Sequence, residues 1–167
     1  MNYAGAGFVI LSSDLSSILL VHDARSSKWG FPKGHRESYD KCDLDTAVRE
    51  VWEETGLVRE DYTIHNDVFK ISKGSQSYLF RYAVLKSEKH KQNAHVGPGN
   101  EISELCWMPL QWLLDANNVL DGNKYLRTWV SDIQTNSSKK AVYLFKSLLA
   151  NGPSNVPMGP NNVVTCP

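Results

Sequence analysis

Thirteen residues, Asp43 to Thr55, carry apolar side chains at Leu44, Ala47, Val48 and Val51. At about 3.6 residues per turn these fall on one face of a helix, and such a face needs a sheet to bury it. Asp43 reads as the N-cap and Gly56 as the C-terminal stop. Strand-like runs lie on both sides. "AGFVIL" and "SILLVHD" are separated by the turn-like "SSDLS", and "TIHNDVFKIS", "SYLFRYAVL" and "EISELCWMP" follow the helix. "LQWLLDA", "NKYLRTWVSDI" and "KKAVYLFKSLLA" read as late helices. Strands around a central helix, with helices late in the chain, predict an α/β or α+β sandwich. The expected organisation is one domain over 1–150, with a loose Gly-, Pro- and Asn-rich tail over 151–167.

The same helix concentrates Glu50, Glu53 and Glu54 opposite its apolar face, beside Arg49. Residues three and four apart are neighbours on a helix, so the carboxylates repel, and Arg49 at i,i+4 from Glu53 offsets part of that. A solvated face would more often alternate its charges. Clustered carboxylates are instead the hard oxygen ligands that Mg²⁺ or Mn²⁺ takes. The preceding loop, "GFPKGH", supplies Lys33, which can meet a phosphate charge, and Gly34, whose backbone can approach a ligand closely. The alternatives are a solvated acidic face and a plain glycine turn.

Composition narrows the classes. Lys and Arg total 18 and so do Asp and Glu, so no overall basic excess marks a nucleic-acid-coated or membrane-bound surface, although a local basic groove remains compatible. No apolar run reaches the roughly 18 residues of a membrane span. "MNYAGAGFVIL" lacks the basic start of a signal peptide. Cys42, Cys106 and Cys166 are scattered and odd in number, which suggests a reducing cytoplasm rather than a disulfide frame.

Gly34 followed by "REVWEETGL" resembles the Nudix box, G-x5-E-x7-R-E-U-x-E-E-x-G-U, with every position from Arg49 to Leu57 matching. The resemblance implies a Nudix-type α/β/α sandwich with a mixed central sheet. It also implies metal-dependent hydrolysis of a nucleoside diphosphate linked to another moiety. By the same likeness Glu50, Glu53 and Glu54 hold Mg²⁺ or Mn²⁺, Gly34 contributes its carbonyl, and Arg49 orients a glutamate by ion pairing. The first half of the box departs from the pattern. Six positions after Gly34 stands Asp40, and eight residues rather than seven then precede Arg49, so that counting back gives Lys41. The family's first glutamate is either shortened to Asp40 or replaced in space by Glu37.

Catalysis needs a proton acceptor for water. A box glutamate is one candidate. Glu101 is the other, six residues before Trp107, a spacing similar to that of a functional glutamate in diadenosine tetraphosphate hydrolases and mRNA-decapping Nudix enzymes; Glu104 stands behind it. Lys33, His35, Tyr78 and Tyr82 are the expected substrate contacts. Tyr78, Phe80 and Tyr82 alternate on one sheet face, mostly as core, with one of them free to grip a purine. Lys86, Lys89 and Lys91 form a basic stretch that suits distal phosphates or simply a solvated loop. "PKGH" and "DLDTAVRE" look like the tetraphosphate hydrolases, while "WGFPKG" and "REVWEETG" look equally like decapping domains. The length leaves no expected room for the decapping enzymes' regulatory domain. A dinucleoside polyphosphate is therefore expected first, capped RNA second and a diphosphoinositol polyphosphate third. A nucleotide-sensing module without catalysis is the alternative of another class. No membrane and no obligate protein partner are expected.

Overall fold

The computed structural model describes residues 2–152. Its order is β1 (Gly5–Leu11), β2 (Ser17–Asp23), β3 (Trp29–Gly30), β4 (Lys33–His35), α1 (Asp43–Thr55), β5 (Tyr62–Ile64), β6 (Phe69–Lys73), β7 (Gln76–Leu85), β8 (Ile102–Pro109), α2 (Leu110–Leu113), α3 (Lys124–Gln134) and α4 (Lys140–Asn151). The eight strands form one mixed sheet. β1 runs parallel to β7 along its whole length, while β2 pairs antiparallel with β8 and β4 antiparallel with the start of β1.

Strand alternation divides the core into two layers. Val9 and Leu11 of β1, with Tyr78, Phe80 and Tyr82 of β7, face α3 and α4, where Trp129 and Phe145 are fully buried. Phe8 and Ile10 of β1, with Leu79 and Ala83 of β7, face the other way, onto Leu44, Ala47 and Val51 of α1. Helices on both faces make this the expected α/β/α sandwich.

Several expectations are refined. The helix keeps its predicted bounds and ends on Gly56 in the left-handed region, but Cys42 occupies the N-cap position and makes no side-chain cap. "TIHNDVFKIS" is two short strands, β5 and β6, both antiparallel to β7. Among the described residues Cys106 is a free cysteine. Asn151 closes α4, and the expected loose tail from 153 onward lies outside the described residues. Among the described residues no helix is long and apolar enough to cross a membrane.

Candidate active site

The glutamates are less exposed than a face opposite the core implies. Glu50 and Glu54 are 8% and 9% exposed, against 47% for Trp52 on the outer side of the helix. They flank the buried stripe and lie under β4 and its approach. The Lys33 N–H donates to Glu54 Oε2 at 3.1 Å. Gly34 lies so near Glu50 that a Cβ there would overlap its carboxylate. Its own carbonyl oxygen lies over Gly5 of β1.

Arg49 organises this face. Its Nη1 donates to Glu50 Oε1 at 2.8 Å and Glu53 Oε2 at 3.1 Å, and its Nη2 donates to the His35 carbonyl at 2.8 Å. The same guanidinium grips Asp40 through Nε at 3.2 Å and Nη2 at 2.9 Å. Asp40 also accepts from the Glu37 N–H at 2.9 Å and the Thr46 hydroxyl at 2.9 Å. Burial alone would raise the Asp40 carboxyl, but these hydrogen bonds and Arg49 hold it below the usual range. The extra residue of the loop is therefore absorbed before α1. Asp40 is the buried partner of Arg49, and exposed Glu37 meets it through backbone alone, its N–H donating to the Asp40 carboxylate and its carbonyl accepting from the Asp40 N–H at 3.1 Å.

The electrostatics of the carboxylates point the other way. Burial pushes Glu50 up against the opposing Arg49, with Glu53 and Glu101 adding to the rise. Burial likewise raises Glu54, which Lys33 opposes and which Glu50 and Glu101 push further. Burial lowers Lys33, and the charges of Glu54, Asp23 and Glu50 resist that. Glu101 thus belongs to the same field as the box glutamates, at the entrance to β8. Glu104 instead stands opposite His22 in the β2–β8 ladder.

Such a field of buried carboxylates calls for positive charge, and the donor set is all hard oxygen, suited to a small divalent cation. Arg49 engages one oxygen each of Glu50 and Glu53. Among the described residues no three His, Cys, Asp or Glu side chains converge closely enough to enclose an ion as they stand. The residues suit the group by chemistry and adjacency, with Gly34 leaving space where a side chain would intrude.

Two expected substrate contacts are corrected. Tyr82 is fully buried, its hydroxyl donating to the Ala141 carbonyl at 2.7 Å and accepting from Trp129 Nε1 at 2.9 Å, so it is a core tie between β7, α3 and α4. Tyr78 is 3% exposed, with the Tyr125 ring centroid at 4.8 Å and the Lys33 ammonium at 5.0 Å, and it has no face left for a base. Tyr78 and Tyr125 together cradle Lys33, whose ammonium lies 5.2 Å from the second ring. The His35 side chain is exposed at the rim, 5.8 Å from Tyr78. In the basic stretch, Lys91 is tied to Glu88 at 2.8 Å and lies over Trp107.

Beyond Glu54 the site opens into a cleft of about 370 Å³ lined by Lys28, Lys33, Lys73, Lys124 and Arg127, with Asp23 and Glu54 as its acidic members. Lys28 is neutralised on the rim by Asp121 at 2.8 Å. Except for Lys33, none of these cations stood out in the sequence. They come from β6, α3 and the turn after β2, and no local pattern joins segments so far apart.

An acidic helix with a metal-suited donor set thus stands beside a cationic cleft on one mixed sheet. A NUDIX domain model matches residues 1–130, and the chain belongs to the Nudix family. The m7GpppN-mRNA hydrolase of Saccharomyces cerevisiae is 33% identical over 101 residues, which is 60% of this chain and 10% of that protein. The mRNA-decapping enzyme subunit 2 of Arabidopsis thaliana is 30% identical over 163 residues, which is 93% of this chain and 39% of that protein. The chain thus spans a minor part of the length of these relatives. A Caenorhabditis elegans Ap4A hydrolase, solved as a binary complex, superposes with a TM-score of 0.61 at 21% identity, covering 88% of this chain and 98% of that one, and shares the fold.

Proposed function

We propose that this protein hydrolyses a phosphoanhydride bond in a dinucleoside polyphosphate of the diadenosine tetraphosphate type, using Mg²⁺ or Mn²⁺. The observation that carries this reading is the meeting of two oppositely charged lobes at Glu54 and Lys33. The acidic lobe suits metal at the scissile linkage, and the cationic cleft suits further phosphates. Glu50, Glu53, Glu54 and the Gly34 carbonyl would hold the cation, which supplies charge neutralisation and activation of water. Lys33, held by two aromatic rings, meets a phosphate oxygen as a point charge. Arg49 holds Glu50 and Glu53 in place, and Glu101 accepts the proton of the attacking water.

Cap hydrolysis on RNA is the second reading, supported by the identity with the yeast and Arabidopsis proteins. The cationic cleft also suits a diphosphoinositol polyphosphate. The test is turnover of diadenosine tetraphosphate, capped RNA and diphosphoinositol phosphates by purified protein, with products identified by mass. The tetraphosphate is expected to turn over fastest, and faster turnover of capped RNA would transfer the assignment. Glu54→Gln should lower turnover by about two to four orders of magnitude while the melting transition persists. Activity that survives both this change and chelation of divalent ions would remove the metal-hydrolase reading. Tight binding without turnover of any compound would favour a nucleotide sensor.

A further inference from the structure

The last turn of α1 ends with four carbonyl oxygens that have no partner within the helix, as every helix does. Gly56 N–H takes that of Trp52 at 2.9 Å. The other three are taken by a distant segment. His95 N–H donates to Thr55 at 2.9 Å, Gly97 N–H to Glu54 at 3.1 Å and Gly99 N–H to Glu53 at 3.2 Å. Alternate amides of 95–99 therefore run backward along the helix end, each on the next carbonyl. Two of those carbonyls belong to Glu53 and Glu54.

Glu101 lies two residues beyond the last of these bonds. Two residues reach at most about 7 Å of chain, so its position is set by where Gly99 is held. On its other side the Glu101 carbonyl accepts from Ala24 N–H at 2.8 Å, at the end of β2. The segment is anchored upstream as well. Buried Asp61 accepts from His90 Nδ1 at 2.9 Å and Asn93 Nδ2 at 2.8 Å.

Close approach at Gly97 depends on its missing side chain. A Cβ there would overlap the Glu53 carbonyl oxygen and stand 2.9 Å from that of Trp52. Both are helix backbone and cannot swing aside. At Gly99 the same test gives an ordinary 3.4 Å contact.

We propose that residues 95–99 form a strap that registers Glu101 against the glutamates of α1, and that Gly97 is a positioning residue acting through Glu101. This rests on Glu101 accepting the water's proton. Any side chain at Gly97 lifts the strap from the helix end and moves Glu101, while the glutamates on α1 stay with their Arg49 contacts.

The test is a double-mutant cycle with a direct readout of the strap. Gly97→Ala should lower kcat by about 10- to 100-fold, as a displacement near 1 Å does, with KM within about twofold. In a Glu101→Gln background the same change should cost little more, because the group it misplaces is gone. Equal costs in both backgrounds, or no cost in either, would overturn the proposal. A glycine inserted between Asn100 and Glu101 lengthens the tether with the strap bonds in place. It should reproduce the kcat loss even if Gly97→Ala fails to fold, and unchanged kcat would count against the strap. Hydrogen exchange on the wild-type protein is independent of any substrate. The amides of His95, Gly97 and Gly99 should be protected together with the end of α1, and fast exchange at all three would overturn the strap. Absence of wild-type turnover on every substrate, with those amides protected, would fault the hydrolase assignment and the role of Glu101 while leaving the docking intact.

Discussion

Gly34 and Glu50 meet with no side chain between them, since a Cβ on the glycine would overlap the carboxylate. Backbone of β4 and a buried carboxylate of α1 therefore share one wall of the site, and Glu50 is held on its other side by Arg49 at 2.8 Å. Gly34→Ala must push Glu50 off that guanidinium or push β4 off β1. Overpacking of this kind costs about 1–3 kcal/mol, and the displaced carboxylate should cost on the order of 100-fold in turnover. Thermal melts and kcat measured on the same preparation check both, and unchanged values of each would show that the contact is slack.

Asp40 predicts an acid dependence. Its folded pKa is depressed, so the stability it contributes is fully present above the unfolded value and is lost as pH falls through the folded one. With an unfolded aspartate near ~3.9, the loss should begin below about pH 4. Asp40→Asn should be less stable than wild type at neutral pH, and the gap should close in acid. Urea melts across that range measure it, and a gap independent of pH would show that the Arg49 contact is not what holds Asp40 ionised.

Tyr82→Phe separates core from site. The change leaves the Trp129 N–H and the Ala141 carbonyl without their buried partner, at about 1–3 kcal/mol. Turnover at a temperature where the variant is folded should match wild type. A rise in KM with no loss of stability would restore Tyr82 to the substrate side.

The cationic cleft predicts discrimination by phosphate number. Lys73→Ala combined with Arg127→Ala should raise KM for a tetraphosphate by roughly tenfold or more while changing kcat little, the pattern of lost uniform binding. Added salt should shrink the difference, because exposed charges are screened. Equal effects on substrates with two and four phosphates would place the distal phosphates elsewhere.

The sequence by itself determined the parts that depend on neighbours in the chain. Helical periodicity gave α1 its bounds, Gly56 ended it, and spacings of three and four brought Glu50, Glu53 and Glu54 to one side. The alternation of Tyr78, Phe80 and Tyr82 placed their side chains on one sheet face. What lies across that face is not local, and Trp129 and Tyr125 of α3 decided that Tyr82 and Tyr78 are enclosed. The ambiguity between Asp40 and Glu37 was likewise beyond residue counting, because a loop can absorb an extra residue anywhere. Only the reach of the Arg49 guanidinium selected Asp40. Tertiary structure also assembled the cationic cleft from separate elements and brought 95–99 onto the end of α1. Backbone amides and carbonyls make those last contacts, and every residue but proline carries both, so side-chain identity leaves no trace of them beyond the glycine that close approach demands.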